Sequence, residues 1–214
     1  MLKLYSYYRS GTSYRVRMAL NYKGAEYENA PVNLKDGEQH GEAYRRLNPQ
    51  GLLPALEMPG GVLTQSPAIL EWIEETWPEP ALLPEDPFLR AKVRAIAAII
   101  GCDTHPIQNL RILLYLKNEL GQPQETVQEW ARHWIAKGFD AVEPMIAGTV
   151  GPFAFGETPG MADIYLLPQI YNAHRFGVDM EAYPRIAGIE SAAADVEAFA
   201  AAHPSRQPDT PDED

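Results

Sequence analysis

The sequence predicts an α/β plus all-α chain, in which a small mixed sheet with helices is followed by a part made only of helices. Three observations predict this. Strand and helix periodicities alternate over residues 3–77, a proline-rich stretch interrupts at 78–87, and the later apolar patterns have helical spacing.

"KLYSY" (3–7) reads as a short strand. In "YYRSGTSYRVRMAL" (7–20), Val16, Ala19 and Leu20 fall on one face, so residues 13–23 read as an amphipathic helix, with Ser10, Thr12 and Ser13 around its N-terminus. "YENAPVN" (27–33) is a second strand. "LLPAL" and "VLTQ", joined through the Pro-Gly-Gly turn at 59–61, read as an antiparallel hairpin. "SPAILEWIEETWP" then marks a helix, with Ser66 as N-cap, Pro67 at the first helical position, Ile69, Leu70 and Ile73 on one face and Pro78 as the stop.

"PEPALLPEDP" (78–87) holds four prolines and three acids and reads as a stiff linker. Beyond it, residues 88–103 and 107–120 are helical, with Pro106 as the break between them. "VQEWARHWIAKGFDAVEPMI", "MADIYLLPQIYNAHRF" and "YPRIAGIESAAADVEAFAAA" add at least three more helices, and the terminal "RQPDTPDED" reads as a surface tail.

A chain of 214 residues with 45% hydrophobic and 22% charged residues has the composition of an ordinary globular protein. Its net charge of −11 and lack of a basic patch argue against a nucleic-acid partner. No apolar run is long enough to span a bilayer, and "MLKLYSYYRS" lacks the apolar core of a signal peptide. The single cysteine, Cys102, excludes an intrachain disulfide, fits a reducing cytoplasm and, inside "AIAAIIGCD", reads as a buried, inert thiol.

Three pieces carry chemistry. The hydroxyl-rich bend at Ser10–Ser13 lies at a helix N-terminus, which favours anions and thiolates. In "LLPAL" a cis Leu53–Pro54 bond would leave the Leu53 N–H and C=O free for a peptide-like ligand. In "TQSPAIL" the start of a helix at Ser66 suits a carboxylate.

Together these pieces resemble the thioredoxin-like domain of glutathione transferases, and "RSGTSYRVRMAL" is similar to the Ser-Ser-Cys-Ser-x-Arg-Val-Arg-x-Ala-Leu signature of their zeta class. The likeness continues through "LNPQGLLPAL", "QSPAILEWIEE", "HPIQNLRIL", "MADIYLLPQIYNAHRFGVD" and "HPSRQPDTP", which is nearly the whole chain. It implies the glutathione transferase fold: a thioredoxin-like domain over 1–80, a linker at 81–87 and a helical substrate domain over 88–214 with an acidic tail. It further implies glutathione as cofactor, a cytoplasmic homodimer, and neither nucleic acid nor membrane as partner.

The activity it implies is cis-trans isomerisation of maleylacetoacetate to fumarylacetoacetate, with maleylpyruvate as the alternative maleyl keto-diacid substrate. A non-enzymatic regulatory protein of the same fold is the rival reading. Ser10, Gln65–Ser66 and three arginines argue for the enzyme. On this resemblance Ser10 or Thr12 bonds the glutathione sulfur, with Gly11 between them where many members have serine. Leu53 pairs with the cysteinyl backbone, Gln65 and Ser66 hold the γ-glutamyl end, and Gln39 lies near the glycyl end. Asp103, His105, Asn109, Leu110 and Arg111 follow in the glutathione-binding stretch, although His105 taken alone reads as a capping residue ahead of Pro106. Arg9, Arg111 and Arg175 provide guanidinium forks for a substrate with two carboxylates, whereas Arg15 and Arg17 are expected to pair structurally.

Overall fold

The computed structural model describes residues 1–211. They form two compact units: Met1–Ala81 together with the residues from Ala194 onward, and Leu82–Ala193.

The first unit is built on a four-stranded sheet in the order β2-β1-β3-β4. β1 (Leu2–Ser6) pairs in parallel with β2 (Tyr27–Pro31) and antiparallel with β3 (Ala55–Met58), which turns through Pro59-Gly60 into antiparallel β4 (Gly61–Thr64). The parallel β1–β2 pair needs a crossover, and α1 (Gly11–Tyr22) supplies it. α1 starts earlier than its apolar rhythm predicts because Ser10 caps it, accepting from Ser13 N at 3.3 Å. A short helix α2 (Glu42–Leu47) was not foreseen, since its six residues place only Tyr44 in the interior. α3 (Ser66–Thr76) buries Ile69, Leu70 and Ile73 as the pattern predicts. Its N-cap, however, is Gln65 and not Ser66. Gln65 adopts φ +70°, so the chain enters the helix one residue earlier and Ser66 becomes its first helical residue.

Residues 194–211 belong to this unit, although the expected helical domain runs over 88–214. Of the expected surface tail, residues 206–211 are exposed or half-buried and 212–214 lie outside the described residues. Asp209 Oδ2 accepts from Tyr8 N at 2.8 Å, and α9 (Glu197–Ala202) packs on α1 through Tyr22 and Phe199, whose ring centroids are 5.6 Å apart. Arg17, fully buried, is the central tie: its guanidinium donates to Ala202 O, Tyr7 O and Tyr8 O at 3.1, 3.3 and 2.9 Å. Burial lowers its pKa to about 10. The expected structural pairing of Arg17 is therefore with backbone carbonyls.

The second unit is helical throughout: α4 (Pro87–Ala98), α5 (Leu110–Asn118), α6 (Gln124–Ile146), α7 (Met161–Phe176) and α8 (Pro184–Ala193). The proline-rich stretch is not a bare linker, because Leu82 and Leu83 are buried and Leu82 O accepts from Met161 N at 2.8 Å. Asp86 caps α4 ahead of Pro87. Between α4 and α5 the chain takes a π-helical turn over Ile99–Thr104 and a 3-10 turn over His105–Ile107, a wider break than Pro106 alone predicts.

The π turn changes the helical phase, and it puts Cys102 on the surface. The expectation of a buried thiol is thus overturned. Gly138 on α6 makes room for the turn, since a Cβ there would lie 2.3 Å from Thr104 Oγ1. Among the described residues no helix is long and apolar enough to cross a membrane.

Candidate active site

The bend before α1 is held by a relay of hydroxyls. Thr12 Oγ1 donates to Leu53 O at 2.9 Å, and Ser10 Oγ lies 3.0 Å from Thr12 Oγ1. A hydroxyl has one proton, and that of Thr12 is committed to the carbonyl, so Ser10 must be the donor in the Ser10–Thr12 contact. The Ser10 proton can therefore turn toward a ligand while the Thr12–Leu53 bond stays intact. Gly11 is buried at the first position of α1, and the first N–H groups of that helix have no intrahelical partner.

Leu53 shares a buried cluster with Tyr7, Tyr8 and Ala55, which fixes the bend against the start of β3. The Leu53–Pro54 bond is cis. The Leu53 carbonyl is not free, as the cis geometry alone suggested, because it accepts from Thr12. A carbonyl has a second lone pair, so it can still accept a ligand N–H.

At the start of α3, Gln65 combines an exposed side chain with a backbone conformation rare outside glycine, costing about 1–3 kcal/mol. Its Nε2 donates to Gln50 Oε1, a partner that sequence reasoning missed. Ser66 Oγ is buried without a hydrogen-bond partner among the described residues, as is Gln39 Oε1, while Gln39 Nε2 lies 3.1 Å from His40 Nε2. Buried polar atoms are nearly always paired, so these orphans mark places where a ligand or water completes the bonding. An elongated peptide with a carboxylate at each end fits the set: hydroxyl and amide groups, the N-terminus of the eleven-residue α3, and the Leu53 backbone. Arg9 is half-buried, with its guanidinium 5.6 Å from the Tyr8 ring.

In the second unit, Asp103 is exposed on the π turn and His105 is buried at the start of the 3-10 turn. The cap of α5 is Asn109, whose Oδ1 accepts from Arg111 N at 3.3 Å, so the capping role read for His105 falls to Asn109. His105 instead packs its ring between two amides, with Asn109 Nδ2 3.3 Å from Nε2 and Gln108 Nε2 3.3 Å from Nδ1. Gln108 and its neighbour Gln169 on α7 went unnoticed in the sequence. Nothing in a helical pattern distinguishes a buried glutamine from an exposed one. Leu110 and Arg111 are exposed at the start of α5. Arg175 is exposed near the end of α7, 4.9 Å from the Phe176 ring.

A thioredoxin-like sheet with its cis-proline loop, followed by an all-helical unit, defines the class: this is a glutathione transferase fold. Residues 1–75 match the family described as Glutathione S-transferase, N-terminal domain. Within that class the chain belongs to the zeta family, which includes the maleylacetoacetate and maleylpyruvate isomerases. It is 51% identical to maleylacetoacetate isomerase of Pseudomonas aeruginosa over 98% of this chain and 99% of that one. The solved holo structure of a maleylpyruvate isomerase, described as a bacterial glutathione S-transferase of zeta class, superposes with a TM-score of 0.96 at 49% identity, covering 98% of this chain and all of that one. Maleylacetoacetate isomerase of Anaeromyxobacter dehalogenans 2CP-1, solved with glutathione in its active site, gives a TM-score of 0.88 at 45% identity, covering 99% of this chain and 98% of that one.

Proposed function

We propose that the chain is a glutathione-dependent cis-trans isomerase that converts maleylacetoacetate to fumarylacetoacetate. The observation that carries this reading is a nearly full-length match to isomerases of that kind in a chain whose Ser10 hydroxyl is free to turn at the N-terminus of α1. Bound glutathione supplies a thiolate that adds to the maleyl alkene and leaves again after rotation about the former double bond.

The residues of the chain have three tasks. Ser10 donates to the sulfur, and the α1 N-terminus adds its partial positive charge, so both favour the thiolate over the thiol. Gln65, Ser66, Gln39 and the Leu53 backbone hold the tripeptide in register, supported by Asp103, His105, Asn109 and Leu110. Arg9, Arg111 and Arg175 bind the two substrate carboxylates and stabilise the negative charge that builds up as the sulfur adds. Isomerisation of maleylpyruvate is the second reading, supported by the close superposition on a maleylpyruvate isomerase.

The enzyme acts as a two-fold homodimer in the cytoplasm. Leu114 and Tyr115, exposed on α5, give apolar surface of the kind a second copy covers, and the lone cysteine fits a reducing compartment.

The arginines test the substrate assignment. Alanine at Arg9, Arg111 or Arg175 should each lower kcat/KM toward the maleyl diacid by roughly ten- to a hundredfold, the loss of a charge-assisted contact. Turnover of chlorodinitrobenzene, which has no carboxylate, should fall much less. Equal losses on both electrophiles, with calorimetry showing lost glutathione affinity, would remove the arginines from the diacid and assign them to the cofactor or the fold.

A further inference from the structure

Four side chains of the second unit, Gln169, Gln108, His105 and Asn109, form a hydrogen-bonded chain. Asn109 Oδ1 accepts from Arg111 N as the cap of α5, so Asn109 presents its NH2 group to His105 Nε2, 3.3 Å away. A neutral imidazole carries one N–H and a charged one carries two, so it never accepts at both nitrogens. With Nε2 accepting from Asn109, the proton sits on Nδ1. The amide of Gln108, 3.3 Å from Nδ1, must therefore turn its carbonyl oxygen to the ring.

That oxygen then faces the amide of Gln169, 3.4 Å away, and Gln169 meets it with its NH2 group. The same half-turn relieves a second conflict. With its oxygen toward Gln108, the fully buried Gln169 leaves Nε2 without a partner; reversed, it uses Nε2 and leaves a carbonyl oxygen in that place, the better tolerated orphan.

We infer that Gln108 and Gln169 are positioning residues that lock His105 as the neutral Nδ1–H tautomer, and that this tautomer and the cap of α5 are a single structural choice. The opposite tautomer would place Nε2–H against Asn109, draw the Asn109 carbonyl to the ring and turn its NH2 group toward Arg111 N–H, which undoes the cap. The chain Gln169, Gln108, His105, Asn109 thus ties α7, which carries Arg175, to the first turn of α5, which carries Arg111. The link to catalysis rests on the proposed isomerase reading; the tautomer does not.

The test uses the full-length protein labelled with nitrogen-15 histidine and read without ligand by long-range proton–nitrogen correlation, with His105 assigned from a His105→Phe variant. The expected spectrum has a protonated Nδ1 and an acceptor-type Nε2. Gln108→Leu removes the acceptor and should shift His105 toward Nε2–H, while Gln108→Glu restores an acceptor and should restore the wild-type pattern. Gln169→Leu should move the spectrum in the same direction as Gln108→Leu. A wild-type Nε2–H spectrum, or an Nδ1–H spectrum unchanged in Gln108→Leu, overturns the inference.

In turnover, Gln108→Leu should lower kcat/KM for the maleyl diacid about tenfold through kcat, with recovery in Gln108→Glu. A loss that Gln108→Glu fails to recover would reduce these residues to packing and overturn their positioning role. A wild-type enzyme with no isomerase activity but the expected spectrum would sink the proposed function alone.

Discussion

Replacing Ser10 and Thr12 separately distinguishes two hydroxyls that the sequence leaves equivalent. Thr12 spends its proton on Leu53 O at 2.9 Å, whereas the proton of Ser10 reaches only another hydroxyl, which it can abandon when a stronger acceptor arrives. A hydrogen bond to a charged group contributes about 1.5–3 kcal/mol, and one pKa unit is about 1.4 kcal/mol. Ser10→Ala should therefore raise the pKa of bound glutathione by about 1–2 units. The same variant loses the cap bond to Ser13 N, at a cost near the low end of about 0.5–2 kcal/mol because that bond is long at 3.3 Å. Thr12→Val removes the neutral bond to the Leu53 carbonyl and the resting acceptor of the Ser10 proton, neither of which reaches the sulfur, so it should weaken glutathione binding and leave the thiol pKa within about half a unit of wild type. The assay is thiolate ultraviolet absorbance against pH, with S-methyl glutathione as the blank. A shift in Thr12→Val as large as that in Ser10→Ala, or none in either, would refute the relay.

Asp163 accepts from Ala154 N and Gly160 N, each at 2.8 Å, and both bonds are lost in Asp163→Ala, at about 2–6 kcal/mol in denaturant unfolding. Burial pushes the Asp163 carboxyl up to about 6, against the two N–H groups that favour its charged form. The folded state then keeps a proton that the unfolded state has lost, so this group makes stability fall as pH rises from about 4 to about 6 and leaves it level above. Asp163→Asn should flatten that part of the melting profile, and an unchanged slope would place the titration elsewhere. Sedimentation at micromolar concentration should give a dimer, and a monomer would contradict the role given to the apolar surface of α5.

Local signals in the sequence were enough for the sheet, the hairpin and the long helices. Pro59-Gly60-Gly61 marks the turn between β3 and β4, and Ile69, Leu70 and Ile73 mark the buried face of α3. The errors lie where geometry overrides a residue preference. Serine is the better N-cap on preference, yet the positive φ of Gln65 takes that role and leaves Ser66 Oγ buried. Cys102 fits an α-helical apolar run, but a π turn alters the phase and exposes it. Long-range pairings leave no local trace: the bond from Tyr8 N to Asp209 and the contact of Gln108 with Gln169 are side-chain choices visible only after folding. For the site, the small-residue bend, the proline loop and the Gln65–Ser66 pair were legible as pieces. The commitment of the Thr12 proton to Leu53, which separates Thr12 from Ser10, was not.

The most direct test of the account is to mix the purified protein with maleylacetoacetate and follow the alkene protons by NMR, with and without glutathione. Conversion of the cis to the trans alkene signal is expected only when glutathione is present, with the glutathione concentration unchanged at the end. Conversion without glutathione, no conversion with it, or stoichiometric loss of glutathione into a stable adduct would contradict the isomerase reading.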